Sequence, residues 1–122
     1  MPDTVSVIGG KRVLHAAPDG EPIANDRDAV DLIADATWGH HVELVVVPVE
    51  RFVDGFFSLR TRIAGEIVQK FVTYRMPLAI LGDISGHLEG SSALRAFVHE
   101  SNQGKDLWFV ADLAELRDKL VG

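Results

Sequence analysis

The chain has 122 residues, 47 % of them hydrophobic, no cysteine and a formal net charge of −6. That length suits one domain with a core large enough to need no covalent staple. The missing cysteine excludes disulfides, thiolate metal sites and a cysteine nucleophile, and the negative charge argues against nucleic acid, whose phosphates a binding face must neutralise.

No stretch reaches the roughly 20 apolar residues of a membrane span. The start, MPDTVSVIGG, lacks the basic-then-apolar plan of a secretory signal. A cytoplasmic protein is therefore expected, folding as one domain over residues 1–122.

Val5 to Ile8, the pair Gly9-Gly10 and Lys11 to Ala16 read as a β-hairpin, because paired glycines supply the positive φ of a tight turn. Asn25 or Asp26 can cap a helix running to about Thr37, with Val30, Ile33 and Ala34 facing inward. Val42 to Val49 is almost continuously apolar, as suits a central strand covered on both faces, and Pro48 should end it.

A long helix is predicted from a cap at Ser58 to about Tyr74. Leu59, Ile63, Ala64, Ile67, Val68, Phe71, Val72 and Tyr74 form its broad apolar face. Arg60 falls near the middle of that face. A place in the first turn, reaching past the sheet edge into solvent, resolves the conflict.

Leu78 to Leu81 is a short strand, followed by a glycine-punctuated loop from Gly82 to Gly90. Ser91 or Ser92 caps a helix burying Leu94, Phe97 and Val98, with Gly104 as its stop. Leu107 to Ala111 is the last strand. Asp112 with Glu115 three residues on caps a final helix showing Leu113, Leu116 and Leu120 inward.

The order ββαβαβαβα predicts an α/β fold: a mixed, mainly parallel five-stranded sheet with right-handed crossovers. Ligands on such sheets favour the edge where the parallel strands end. That edge would gather Pro48 to Ser58, Asp83 to Ser92, and Asp112. His40 and His41 precede a strand and belong to the opposite edge.

Charge is unevenly spread. Asp19 to Glu50 holds eight acidic residues and one basic; Arg51 to Arg75 holds five basic and two acidic. Such polarity can steer an acidic partner or pair two copies of the chain; uneven decoration of a solvated surface is the simpler reading. A helix N-terminus carries partial positive charge and free amides, so Ser58, Arg60 and Thr61 would make an anion pocket there unless Asp54 neutralises it.

Other constellations are weaker. His41-Val42-Glu43 matches half of a zinc deaminase signature, but the cysteine pair it requires is impossible here. His40, His41 and Glu43 form no metal site, because neighbours on a strand point to opposite faces. Ser58, Asp83 and His87 can converge as nucleophile, acid and base, as small α/β domains often arrange at that edge without catalysing anything. The 82–90 loop can serve as a lid or phosphate nest, or be simply a long polar connection. Neither a phosphate-loop nor a dinucleotide fingerprint is present. Phe56 and Phe57 are core anchors, one of which can face a partner.

Phe57, Leu59, Thr61, Ala64-Gly65-Glu66, Gln69-Lys70-Phe71 and Tyr74, then Glu100-Ser101-Asn102 and Gly104, resemble a bacterial family known only as domain of unknown function 4180. The resemblance spans nearly the whole chain and implies no activity. Arg62 departs from it, standing where a glycine is expected. The element order also resembles the STAS domain of anti-sigma-factor antagonists, in which a serine or threonine at the start of the second helix is phosphorylated. Ser58 or Thr61 would be the nearest equivalent, although the Asp-Ser-Ser-Gly-Leu pattern of that site is missing.

Three readings follow. The first is a regulatory or protein-interaction module working through Asp54, Ser58, Arg60, Thr61, Asp83, Ser85 and His87. The second is a ligand-binding protein or small enzyme using the same edge for an anion, with Glu66, Asp83 or His87 as acid or base. The third is a homo-oligomer, at least a homodimer, driven by the charge polarity. No cofactor and no metal is called for, and the partner is an unidentified protein or a small anionic ligand.

Overall fold

In the computed structural model, which describes residues 3–121, the chain opens with a β-hairpin. Strands β1 (Thr4–Ile8) and β2 (Lys11–His15) pair antiparallel. Gly9 and Gly10 both have positive φ, 59° and 83°, as the two-residue turn requires. From β2 onward every pairing is parallel. Strands β3 (Leu44–Pro48), β4 (Leu78–Leu81) and β5 (Leu107–Val110) follow in spatial order β1-β2-β3-β4-β5. The five-stranded, mainly parallel sheet expected from the element order is therefore present.

Sequential order without reversal sends each crossover the same way, so the connecting helices share one face. Helices α1 (Asp26–Ala34), α2 (Ile63–Thr73) and α4 (Ser92–Gln103) bury Ala29, Leu32, Ile33, Ala64, Ile67, Phe71 and Leu94 against Leu14, Val45, Val47, Leu78, Ile80, Leu107 and Phe109. The alternate strand residues point the other way. Val13, Leu44, Val46, Ala79 and Val110 are covered by a single helix, α5 (Leu113–Val121), through Leu116 and Leu120. Strand β3 is buried on both faces from Leu44 to Val47, as its unbroken apolar run implies.

Helix α1 starts where expected: Asn25 accepts the Asp28 amide at 3.0 Å, and the Asp28 carboxylate accepts the Ala24 amide at 2.9 Å. Its inward face is Ala29, Leu32, Ile33 and Ala36 rather than Val30, Ile33 and Ala34; Ala34 is exposed. The bonds of the Asn25 and Asp28 side chains to the Asp28 and Ala24 amides fix the first turn and with it the helix rotation. The helix then widens into a π turn, Asp35–Gly39, closed by the His40 amide on the Asp35 carbonyl. Trp38 stands on that turn, 78 % exposed.

The long helix begins later than predicted. Two 3₁₀ turns, Asp54–Phe57 and Leu59–Thr61, come first, and α2 starts only at Ile63. Ser58 makes no cap. The cause is the conflict already visible at Arg60. A helix running through Leu59 to Ile63 would have carried this guanidinium across the apolar face, whereas the tight turns leave Arg60 exposed.

Arg62 makes the join, at φ 65° and ψ 4°, in the left-handed region. The resemblance noted above leads to the expectation of a glycine at this position, and the backbone would suit one: without a Cβ the conformation is free, whereas with one it costs about 1–2 kcal/mol. Arg62→Gly is expected to raise the unfolding free energy by up to about 1 kcal/mol, the strain relief being partly offset by the looser unfolded chain. Urea unfolding followed by circular dichroism checks this; lower stability in the variant would show that the arginine side chain contributes more than its backbone costs.

Three further differences concern caps and loops. The 82–90 loop is not irregular throughout: Ser85–Leu88 forms a one-turn helix, α3. Gly104 follows α4 but is extended (φ −93°) rather than left-handed; its carbonyl accepts the Trp108 indole N–H at 2.8 Å. In α5, Asp112 caps the Glu115 amide at 2.9 Å as expected, yet Leu113 is 43 % exposed because only Leu116 is directed squarely at the sheet.

Candidate functional site

The C-terminal ends of β3, β4 and β5 form one rim. After β3, the chain passes through Val49–Arg51 and the two 3₁₀ turns; after β4, through Gly82 and α3; after β5, through Ala111 and Asp112 into α5. Two contacts tie the first segment to the second. The Phe57 ring stacks on the His87 imidazole, centroids 4.1 Å apart and planes 15° from parallel. Gly82, at φ 140°, lets the chain pass Val49, whose side chain would lie 2.8 Å from a Cβ at that position.

The Phe57–His87 contact rests on a rigid base. Phe57 meets Phe56 edge-on at 5.0 Å, Phe56 lies 4.4 Å from Phe52, and Phe52 and Phe56 are buried. Phe56 and Phe57 are thus both core anchors, and Phe57 in addition holds a rim residue.

The residues singled out from the sequence fall as follows. Asp54, Arg60 and Thr61 are exposed on the two turns, and Ser58 between those turns is half-buried. The Thr61 hydroxyl donates to the Gly55 carbonyl at 2.6 Å, lies 2.8 Å from that of Ser58, and accepts the Ile63 amide at 3.3 Å. It is therefore occupied in joining the turn to α2, whereas among the described residues the Ser58 hydroxyl has no such partner. Asp83 and Ser85 are exposed and two residues apart, and His87 is half-buried, lying on the buried Phe57 ring.

Glu66 is not at the rim. It lines a separate surface groove with Asp26, Arg62, Gln69 and Lys70. Asp83 and His87 do not form the acid–base pair of a triad: the Asp83 carboxylate accepts the Ser85 amide at 2.9 Å, and the His87 ring is stacked on Phe57. At the opposite edge His40 lies 3.6 Å from Asp35, while the His40 and His41 carbonyls accept the Arg12 guanidinium at 2.9 and 3.2 Å. Among the described residues no group of three potential metal ligands occurs.

Asp83 starts the α3 turn. The Ser85 amide and hydroxyl hold its carboxylate below the ordinary value of 3.8. A carboxylate favoured in its charged form by the fold supports the turn above the usual carboxylate range and withdraws that support as pH falls through its lowered pKa. The Ser85 amide signal in a pH-titrated ¹H–¹⁵N spectrum should therefore move at a lower pH than free aspartate titrates. In Asp83→Asn, that acid step should vanish.

Beside Asp83 lies an open groove of about 350 Å³, walled by Gly82 to Ser85 on one side and Ala111 and Glu115 on the other, with Val98 and Phe109 at its base. The sequence pattern marks Glu115 only as a helix cap, and its place in the groove wall follows from β5 lying next to β4. Arg51 also went unrecognised: its guanidinium donates to the carbonyls of Ala17 (2.7 Å) and Glu21 (2.9 Å), fastening the 17–21 loop to the rim. A lone arginine just past a strand was its only sequence signal.

Sheet, rim and groove define a small α/β protein with a shallow groove at the C-terminal edge of its sheet. The chain belongs to the family described as Domain of unknown function (DUF4180), whose profile matches residues 8–120. No curated protein and no solved structure matches it significantly. The structure explains part of the Glu100-Ser101-Asn102 motif. The Asn102 carboxamide oxygen accepts the Phe109 amide at 2.7 Å, and its carbonyl accepts Lys119 at 3.1 Å, so this residue ties α4 to the outer edge of β5 and to α5. Capping an edge-strand amide in this way blunts a template for unwanted strand pairing.

No helix among the described residues is long and apolar enough to cross a membrane.

Proposed function

We propose that this is a cytoplasmic bacterial regulatory module of STAS-like type that recognises a protein partner through the rim at Asp54, Ser58, Arg60, Asp83, Ser85 and His87. The observation carrying this reading is the Phe57–His87 stack, which fuses two loops into one preorganised surface instead of leaving two independent ones. The groove beside it is open and shallow, the shape of a contact surface more than of an enclosed reaction cleft. Its acidic walls, Asp83 and Glu115, favour a partner presenting basic groups and disfavour a small anion there. Of the two hydroxyls comparable to the STAS phosphorylation site, Ser58 is the better acceptor, since Thr61 is engaged.

The test is a pull-down from the native bacterium with wild type, Asp83→Lys, the double variant Ser58→Ala/Arg60→Ala, and Lys70→Gln as a control away from the rim. One partner captured by wild type and Lys70→Gln but lost with both rim variants is the expected result. The same proteins captured by all four would reject the reading. Self-association is the alternative use of the charge polarity, and light scattering decides it against the 13.3 kDa monomer mass.

A further inference from the structure

At the opposite edge of the sheet, where the parallel strands begin, a second concavity has the features of a small-molecule site. It encloses about 250 Å³ between Lys11, Leu44, Pro77, Lys105, Trp108 and Leu120, with Glu43 on its border. Leu44 is fully buried, and Pro77, Trp108 and Leu120 are half-buried, so the floor is apolar and includes one aromatic ring. Trp108 spends its indole N–H on the Gly104 carbonyl and presents only ring surface; Lys119 lies 5.5 Å from the ring centroid.

The charges around this floor differ from those of the rest of the molecule. In a chain of net charge −6, Lys11 and Lys105 border the cavity and Lys119 is close by. Neither Lys11 nor Lys105 has a carboxylate within ion-pair distance among the described residues. Glu43 also lines the cavity; one of its carboxylate oxygens accepts the Arg12 amide at 3.1 Å, which fixes the group in place and leaves its charge, so two lysines against one glutamate keep the cavity net positive. An apolar, ring-bearing floor with two unpaired ammonium groups at its lip is complementary to a small apolar molecule carrying one negative charge.

From this we infer that the cavity binds a single-ring aromatic carboxylate, its ring against Trp108 and its carboxylate between Lys11 and Lys105. The volume is below the usual 300–1,000 Å³ of drug-sized sites, which holds the ligand to about one ring. This site is independent of the rim and stands or falls separately from it.

The experiment titrates phenylacetate into ¹⁵N-labelled protein and follows the two indole N–H signals. Trp38 is exposed on the π turn and serves as the internal reference. The expected result is a saturable shift of the Trp108 signal with Trp38 unmoved. Affinity should fall as salt is added, because the lysines are exposed and screened. Lys11→Gln/Lys105→Gln should weaken binding about fivefold, the magnitude of two exposed charge contacts. The neutral isostere 2-phenylethanol should bind wild type as weakly as phenylacetate binds the variant. The lysines are surface residues, so the variant is expected to fold; its unchanged Trp38 and backbone signals check this. Absence of a Trp108 shift, equal affinity in the double variant, or equal binding of 2-phenylethanol and phenylacetate to wild type would each overturn the inference.

Discussion

Phe56→Ala is expected to lower the unfolding free energy by about 3–5 kcal/mol, the cost of removing a large ring from a core that cannot close the gap. Phe56 is 1 % exposed, contacts Phe52 at 4.4 Å and Phe57 at 5.0 Å, and lies on a 3₁₀ turn that has few hydrogen bonds to hold it without the ring. A loss of that size is a large share of the roughly 5–15 kcal/mol available to a domain. It should fall unevenly. Removing Phe56 leaves Phe57 unsupported on one side, so the His87 stack should loosen before the sheet does. Urea unfolding gives the total; hydrogen exchange at His87 and its neighbours, compared with that of the β3 amides, gives the distribution. A loss below about 1 kcal/mol would mean that the turn is held by its backbone and not by the aromatic chain.

Gly82→Ala is the second large effect, expected to cost about 3 kcal/mol. Two terms of about 1–3 kcal/mol each contribute. A side chain is strained at φ 140°, and the added Cβ would meet Val49 at 2.8 Å. The Val49 side chain cannot swing away freely, since it packs on the core. The chain leaving β4 would have to move off the chain leaving β3, which widens the rim there. The double variant Gly82→Ala/Val49→Ala separates the terms: it should recover the steric part and retain the backbone part, measured as non-additivity in a double-mutant cycle. Full recovery would leave no role for the unusual dihedral.

Where single residues decide the local geometry, the sequence was readable. Gly9-Gly10, Asn25, the Leu78–Leu81 run and Asp112 with Glu115 each stand where their chemistry placed them, because caps and tight turns depend on one or two side chains. The start of α2 was not readable from its periodicity. Leu59 to Thr73 carries helical spacing throughout, and only the misfit of Arg60 and the absent glycine at Arg62 hinted at a break. Both come from the same competition, in which burying Phe56 and Phe57 on consecutive positions prevails over extending the helix. The rim's location followed from strand direction alone. Its internal contacts did not, because Phe57 against His87 and Glu115 facing Asp83 across the groove depend on which strands become neighbours, and that order is a property of the whole fold.

The polypeptide leaves the ribosome strand by strand, in the same order in which the strands lie in the sheet. Three helices shield one side of the sheet as it is made, each arriving between the strands it bridges. The reverse side waits: Val13, Leu44, Val46, Ala79 and Val110 have no shield until residues 113–121 have been synthesised and docked. A nascent chain halted after β5 would hold a nearly finished sheet with a bare, sticky back, the kind of intermediate that chaperones capture and that associates with its own copies. Helix α5 thus acts as a closing latch, and the grip of Leu116 on the sheet is what turns its sticky back into a covered one.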